Sequence, residues 1–203
     1  MGYDRPEVAA SLAGYIDGLF ATYARARGKA RWADKTPSYV DCLPELWELF
    51  GSGTRFVIII RHGLDVAYSM ADPQRHYPAI DQHVVREGGN VPVAAGRFWA
   101  EQNGKIEAFR TAHPADCFRL RYEDLTEEPQ VTLMPMFEFL GEAWEPSVLA
   151  YDRVPHDAGL EDPDVLRRRR IERNSGRFAS WPEEVQRSVR EACEPVLSAL
   201  GYG

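Results

Sequence analysis

The sequence predicts an α/β fold in which helices cover a mostly parallel sheet, giving three layers. Phe56–Ile60 is an unbroken apolar run rich in β-branched residues, which is typical of a strand buried on both faces. Stretches with apolar residues at helical spacing precede and follow it, and a second buried strand is predicted in DCFRLRYEDL. Helices that alternate with short buried strands favour a parallel sheet covered by helices.

In the first half of the chain, the pattern predicts a long amphipathic helix over about residues 6–27. Its apolar residues recur at helical spacing: Val8, Leu12, Tyr15, Ile16, Leu19 and Tyr23. The segment ARWADKTPSY is expected to be extended, because Pro37 keeps Thr36 out of the helical region. A short helix, LPELWELF, is expected to stop at Gly51, and another helix is expected to begin at about Leu64 after the strand.

In the second half, residues 71–92 are predicted to form a long surface loop with one helical turn, because they show little periodicity. A second long helix is marked by residues at helical spacing: Ala95, Trp99, Gln102, Ile106 and Phe109. After the second strand, Thr126 is expected to cap a helix that ends in FLG and that Pro135 kinks or shortens. Ser180 and Glu183 have capping-box spacing and predict the start of the last helix.

Length and composition indicate a single globular domain over residues 1–203. Apolar residues make up 44% and charged residues 27%, which excludes a disordered chain or a coiled coil. The formal net charge of −7 argues against nucleic-acid binding, so any anion site must be local. Three widely spaced cysteines indicate neither a disulfide framework nor a metal site. No leader or membrane span is expected, and a cytoplasmic protein fits best.

Arg61 stands at the point where the strand Phe56–Ile60 ends, and a helix from about Leu64 follows at once. In a parallel sheet flanked by helices, ligands bind beyond the carboxyl ends of the strands. The helix start adds backbone N–H groups and partial positive charge at that edge, where an anion is stabilised. Ser69 lies further along the same helix. The stretch therefore predicts a phosphate site, with the alternative that Arg61 merely pairs with Asp65 across the turn.

Two more stretches accompany this one in order, WADKTPSYVDCLPELWELF before it and RLRYEDLTEEPQVTLMPMFEFLGEAWEP after it. Together they resemble the sulfotransferases that use 3′-phosphoadenosine 5′-phosphosulfate (PAPS), over about residues 31–202. The resemblance implies a P-loop NTPase-like fold and transfer of a sulfuryl group from PAPS to a hydroxyl or amine of a small-molecule acceptor. It also implies that Arg61 and Ser69 bind the 3′-phosphate, and that Lys35 and Thr36 lie near the sulfuryl group.

The family also has a late basic glycine loop near the nucleotide, and RNSGRF looks like that loop. The candidates that it adds for nucleotide binding are Arg173, Ser175, Gly176 and Arg177. The preceding basic run, Arg167–Arg170, is more simply explained as a solvated face. Lys35 is the catalytic candidate, because negative charge builds on the bridging oxygen of the leaving nucleotide during sulfuryl transfer. Its alternative is a solvated surface lysine.

The general base is expected elsewhere than in some branches of the family, which carry a histidine after the Lys-Thr pair where this chain has Pro37. The candidates are His62, His76, His83 and Glu87. His62 is the first choice because it is nearest in sequence to the predicted anion site. The other three lie on the predicted loop, which could cover an acceptor.

The family opens with a strand and a turn of the type P-R-S-G-T, which cradles the 5′-phosphosulfate, and no such turn begins this sequence. FGSGTRF, residues 50–56, ends a helix and enters a strand, so it is interpreted as a connector rather than a phosphate loop. The fold is therefore expected to be incomplete at the N-terminus, with a rearranged sheet, a homodimer or a partner chain filling the gap. The alternative function is a non-catalytic relic that binds adenosine 3′,5′-bisphosphate weakly or serves as an interaction module.

Overall fold

The computed structural model describes residues 4–153 and 171–202, and the chain divides into two compact units. The first unit comprises Met1–Arg55 with Lys105–Asp116, and the second comprises Phe56–Gly104 with Cys117–Gly203. The predicted single domain stays a prediction. The basic run Arg167–Arg170 lies outside the described residues. In the part of the chain that is described, no helix is long and apolar enough to cross a membrane.

Along the described residues, helices alternate with two short strands. In chain order the helices are α1 (Arg5–Ala26), α2 (Leu43–Phe50), α3 (Gly63–Met70), α4 (Asp81–Arg86), α5 (Val91–Ala112), α6 (Tyr122–Glu127), α7 (Pro129–Leu140), α8 (Glu183–Cys193) and α9 (Val196–Ala199). The strands are β1 (Phe56–Ile60) and β2 (Cys117–Arg121). A 3-10 turn over Gly51–Gly53 joins α2 to β1, as expected of a connector.

The two strands lie side by side and run parallel, with Ile60 opposite Arg121 at their carboxyl ends. The prediction that β1 is buried on both faces is wrong, because Val57 and Ile59 are 39% and 56% exposed. The prediction of a buried β2 is wrong in the same way, since Leu120 is its one fully buried residue. In the described residues the sheet has only these two strands.

The hydrophobic core of the second unit joins the end of β1 to α3, α5 and α8. Its most enclosed side chains are Leu64, Val189, Cys193 and Leu197. Helix α3 approaches its neighbours very closely at Gly63, where an added Cβ would lie 2.9 Å from both Cys193 Sγ and Trp99 Cε3. Burial in this core raises the pKa of the Cys193 thiol to about 12, so the thiol stays protonated. The start of α3 is therefore fixed by packing.

Helix α1 forms where the apolar spacing predicted it, but its apolar stripe does not face a core. Val8, Leu12, Tyr15, Leu19 and Tyr23 are between 46% and 67% exposed, and Ala24 is the buried residue of the helix. The predicted long helix is therefore present, with its apolar face about half exposed. Elsewhere in this unit Phe20 stacks on Trp32, with ring centroids 4.6 Å apart.

The predicted helix caps are also corrected. Thr126 lies inside α6, where its hydroxyl donates to the Glu123 carbonyl, and α7 begins afterwards at Pro129. Ser180 donates to the Arg177 carbonyl instead of capping α8, which begins directly after Pro182. Proline has a backbone angle that suits a helix start, so at both places a proline marks the boundary. Helix α7 continues through Pro135 to Leu140 rather than stopping there, and Gly141 ends it with a positive φ of 70°.

The predicted surface loop over residues 71–92 contains more structure than expected. A 3-10 turn covers Pro78–Ile80 and α4 follows it directly, so the predicted helical turn is present. Ile80 is fully buried in the core of the second unit. The partly buried Tyr77, Val84 and Val91 also pack against this core, so the segment is anchored by several apolar side chains that its lack of periodicity concealed.

Candidate functional site

Arg61 follows the last residue of β1 and is half-buried at the carboxyl edge of the sheet. One end of its guanidinium donates to the Asn174 carbonyl, and the group lies 4.7 Å from the ring centre of Tyr122. The Arg61 backbone carbonyl accepts a hydrogen bond of 3.1 Å from the Trp99 indole. Its Nε is buried and has no hydrogen-bond partner among the described residues. A buried donor without a partner marks a place where an anion would be stabilised.

The alternative in which Arg61 merely pairs with Asp65 does not describe this arrangement. The Asp65 carboxylate instead accepts two backbone hydrogen bonds, from Gly176 N–H at 2.8 Å and from Arg177 N–H at 3.0 Å. The guanidinium of Arg177 lies 5.2 Å from the ring centre of Tyr68, which is on the same helix as Asp65. Arg61 therefore keeps its positive charge without a carboxylate partner in the described part of the chain.

His62 is the N-cap of α3. Its ring Nδ1 accepts the Leu64 N–H at 3.2 Å, and its backbone N–H donates to the Glu123 carboxylate at 2.9 Å. The ring stacks on Phe178 with the two planes 7° apart. Burial lowers the pKa of His62, so the ring is neutral and its proton sits on Nε2. Because the lone pair of Nδ1 is already used, this geometry favours a capping role over the predicted role of general base.

Ser69 is half-buried on α3, the helix that begins two residues after Arg61. The start of α3 was predicted to offer free N–H groups to an anion, but the Leu64 N–H is taken by the ring of His62. Arg61 and Ser69 both belong to the second unit, as the predicted phosphate site requires. The predicted contribution of helix N–H groups is therefore smaller than the sequence indicated.

The predicted nucleotide loop, named here the RNSGRF segment (residues 173–178), lies in the same unit and is held against α3. The Arg173 guanidinium pairs with Glu127 at 2.8 Å and donates to the Ser175 hydroxyl at 3.1 Å. Gly176 has a positive φ of 81°, a conformation that favours glycine. The N–H groups of Gly176 and Arg177 donate to Asp65, so these two groups are not available to a phosphate. The segment would have to bind a phosphate through its side chains.

Glu123 and Tyr202 complete the support beneath this edge of the sheet, and neither was among the predicted site residues. The Tyr202 hydroxyl donates to Glu123 at 2.8 Å and lies 3.2 Å from the Ile60 carbonyl. Arg121, at the end of β2, lies 4.3 Å from the ring centre of Tyr202. Burial, with the hydrogen bond to Glu123, raises the pKa of Tyr202, so it stays a neutral donor. The RYEDL motif pointed to Glu123, whereas no local pattern in the sequence pointed to Tyr202.

Lys35 and Thr36 belong to the first unit, and both are exposed. The Thr36 hydroxyl donates to Asp34 at 3.1 Å, and the Tyr39 hydroxyl donates to the same carboxylate. The hydrogen bond from the Tyr39 hydroxyl to Asp34 raises the pKa of Tyr39. Residues that come before this pair in the sequence line a groove of about 580 Å³ in the first unit. The lining includes Leu19, Phe20, Tyr23, Arg27, Trp32 and Asp34. It is predominantly apolar and aromatic, with arginine and lysine among its lining residues.

The other candidates for the general base each contact a charged group in the second unit. His76 Nε2 lies 3.1 Å from Asp81, and Glu87 lies 3.5 Å from Arg97. His83 Nε2 lies 3.1 Å from Glu101, and its Nδ1 is buried without a hydrogen-bond partner among the described residues. A histidine whose one nitrogen is held by a carboxylate keeps the lone pair of the other nitrogen for a proton. His83 therefore fits the role of base better than His62.

A model of the sulfotransferase family matches residues 3–146, which is more than half of the chain. The chain therefore belongs to the sulfotransferase family. No curated protein sequence matches it. Two solved structures are similar to it, "Sulfotransferase Domain from the Curacin Biosynthetic Pathway" (20% identity, TM-score 0.66) and "Sulfotransferase Domain from the Synechococcus PCC 7002 Olefin Synthase" (21% identity, TM-score 0.64).

These comparisons establish the fold. The alignments cover 93% and 88% of this chain, but 68% and 62% of the two solved domains. The predicted α/β fold with a parallel sheet, of the P-loop-like sulfotransferase type, is thereby confirmed. Within the residues that the structure describes, no group of three or more His, Cys, Asp and Glu side chains is placed to hold a metal ion.

Proposed function

We propose that the chain is a PAPS-dependent sulfotransferase that acts on a hydroxyl or amine of a small-molecule acceptor. The observation that carries the proposal is Arg61, which stands at the carboxyl end of β1 with a buried Nε that has no hydrogen-bond partner among the described residues. Family membership supports the class of reaction, and the position of Arg61 supports the nucleotide. The 3′-phosphate of an adenosine nucleotide is an anion that the Arg61 guanidinium could bind.

The 3′-phosphate would be held by side chains of the second unit. Arg61 would supply charge-assisted hydrogen bonds, which are roughly twice as strong as neutral ones. The Ser69 hydroxyl is a second donor, and Arg173, Ser175 and Arg177 of the RNSGRF segment are further candidates. Gly176 would shape the segment rather than contact the phosphate, since its N–H is directed to Asp65.

The transfer chemistry would rest on Lys35 and Thr36, the pair that the resemblance places near the sulfuryl group. PAPS supplies an SO₃ group; a bond from its sulfur to the oxygen or nitrogen of the acceptor forms while the sulfur–oxygen bond to the nucleotide phosphate breaks. Lys35 would stabilise the charge on the departing phosphate oxygen, and Thr36 would lie near the sulfuryl group. A base takes the proton of the acceptor hydroxyl or amine, and His83 is the candidate that the geometry favours, with His76, Glu87 and His62 behind it.

The other candidate function is a relic that binds adenosine 3′,5′-bisphosphate weakly without catalysis. One observation supports it: the backbone N–H groups of Leu64, Gly176 and Arg177 already donate to side chains of the protein and so are not available to a phosphate. A site that depends on side chains alone would bind a phosphate less tightly. The two functions differ in turnover, which only the first predicts.

Calorimetric titration of adenosine 3′,5′-bisphosphate into the wild type and Arg61→Ala tests the proposal. Loss of a charged hydrogen-bonding partner should weaken binding by about tenfold to a hundredfold. Arg5→Ala is the matched control, because Arg5 is an exposed arginine of the first unit that pairs with Glu48, and this variant should bind as the wild type does. No heat of binding with the wild type would refute the proposal; equal affinity in Arg61→Ala would refute the site. Transfer of labelled sulfuryl from PAPS then separates enzyme from relic.

A further inference from the structure

Asp65 is a buried carboxylate that joins two distant parts of the second unit. It is 2% exposed on α3, and its two oxygens accept the backbone N–H groups of Gly176 and Arg177, 111 and 112 residues further along the chain. Burying a carboxylate is costly unless hydrogen bonds replace its water. These two charge-assisted bonds therefore tie the RNSGRF segment firmly to the helix that carries Ser69.

The backbone at Gly176 is shaped to take an anion. Its φ of 81° turns two successive N–H groups toward one point, as in the concave backbone sites that bind anions in many proteins. Here the anion is the protein's own carboxylate. The same segment places the Asn174 carbonyl against Arg61 and the Phe178 ring on His62. With the Arg177 guanidinium near the Tyr68 ring, four contacts thus join the segment to the end of β1 and to α3, and Asp65 supplies the one that involves the backbone N–H groups.

On the basis of the proposed function, we propose that Asp65 is a positioning residue for the nucleotide site. It would contact no part of the nucleotide. It fixes the RNSGRF segment so that the side chains of Arg173, Ser175 and Arg177 act together with Arg61. In its absence the segment loses its anchor, and the side chains that bind the phosphate would have to be ordered at the moment of binding, which lowers affinity.

The variant Asp65→Asn tests this role because the amide keeps the size of the side chain while replacing one acceptor by a donor that faces an N–H group. Asp72→Asn is the matched control, since Asp72 also accepts a backbone N–H, from Gln74 at 2.9 Å, but on the surface. In the absence of nucleotide, amide hydrogen exchange at Gly176 and Arg177 should be about tenfold faster or more in Asp65→Asn and unchanged in Asp72→Asn. Equal exchange in Asp65→Asn and the wild type would overturn the inference, whatever the nucleotide does.

The second readout is the dissociation constant of adenosine 3′,5′-bisphosphate, which should rise about tenfold in Asp65→Asn. Because Asp65 acts through the segment, adding Asp65→Asn to Arg177→Ala should weaken binding by less than the product of the two single effects. Full multiplication of the effects, or unchanged affinity in Asp65→Asn, would overturn the positioning role. If the wild type itself does not bind, the proposed function fails and the nucleotide part of this inference fails with it, while the exchange data still decide whether Asp65 anchors the segment.

Circular dichroism first establishes that each variant is folded. If Asp65→Asn does not fold, exchange in the wild type decides. The Gly176 and Arg177 amides should then be protected more strongly than the Ser175 amide, which is adjacent to them but has no such bond to Asp65. Equal exchange at all three amides would contradict the anchor.

Discussion

Helices α1 and α8 carry the same kind of apolar spacing, yet one is exposed and the other is buried. Helix α8 presents Val189, Ala192 and Cys193 to the core of the second unit, and all three are almost completely buried. Helix α1 leaves the five large side chains of its stripe about half exposed. Periodicity shows which face of a helix is apolar. It does not show whether the fold supplies a surface for that face to cover.

The predicted site residues differ between the two units in the same way. Arg61 and the RNSGRF segment of the second unit are engaged by neighbouring groups, among them Asn174 and Asp65. Lys35, which belongs to the first unit, is exposed to solvent. Residues with several packed neighbours affect both stability and binding when they change, whereas an exposed residue affects function alone. Variants of packed and of exposed residues therefore test this contrast.

The largest expected effect is that of Leu64→Ala compared with Leu12→Ala. Leu64 is fully buried in the core, so its truncation should lower the free energy of unfolding by about 2–5 kcal/mol. Leu12 lies on the exposed stripe of α1 and should cost about 0.5 kcal/mol or less. Urea unfolding followed by circular dichroism measures both. A similar loss in the two variants would mean that the stripe of α1 is covered in solution.

A smaller effect is expected at Gly63, where α3 meets its neighbours. Gly63→Ala would place a methyl group 2.9 Å from Cys193 Sγ and should cost about 1–3 kcal/mol by overpacking. Gly104→Ala in α5 is the control, because an added Cβ meets nothing within 4 Å and should stabilise the helix by about 0.5–1 kcal/mol. Thermal unfolding should thus shift in opposite directions. A shift of the same sign in both would contradict the packing described for α3.

A pH-dependent effect is expected at His62. Burial lowers the pKa of its ring below the ordinary value of 6.5, so the unfolded chain binds a proton more readily than the folded one. The contribution of His62 to stability is therefore complete above pH 6.5 and is lost as the pH falls through the lowered pKa of the folded state. His62→Asn retains an acceptor for the Leu64 N–H but cannot titrate. Its stability, measured in urea at several pH values, should fall less on acidification than that of the wild type; parallel curves would refute this.

The smallest effect on stability is expected for Lys35→Ala. Its exposed side chain should leave the free energy of unfolding within about 0.5 kcal/mol of the wild type. Under the proposed function the same variant should lose transfer of sulfuryl from PAPS, because no positive charge meets the departing oxygen, while nucleotide binding changes little. Urea unfolding and a transfer assay on the same preparation separate the two effects. Full activity in Lys35→Ala would remove it from the catalytic site.

The sequence predicted the type of most main elements because local patterns encode that information, whereas residues 122–125, predicted as part of the second strand, lie in α6. The run Phe56–Ile60 gave a strand, the spacing on α1 gave a helix, and Arg61 followed the strand as a candidate anion site. The exposure of Ile59 and of the α1 stripe could not be predicted, since burial depends on elements that are distant in sequence. The same reason conceals the bond of Asp65 to Gly176, which joins residues 111 positions apart.

The predictions of the helix caps were wrong for a more local reason. The hydroxyl groups of Thr126 and Ser180 can bond either to a following N–H or to a preceding carbonyl, and the second choice was realised in both. Sequence spacing identifies the residue that is able to cap a helix. Only the backbone geometry around it decides which of the two bonds forms.

The central claim is that the end of β1, α3 and the RNSGRF segment together bind the 3′-phosphate of the nucleotide. Hydrogen exchange of the wild type with and without saturating adenosine 3′,5′-bisphosphate tests it directly. Added nucleotide should slow exchange in residues 61–69 and 173–178 together, because one ligand orders both. Binding that leaves these two segments unprotected, or protects only one of them, would contradict the claim.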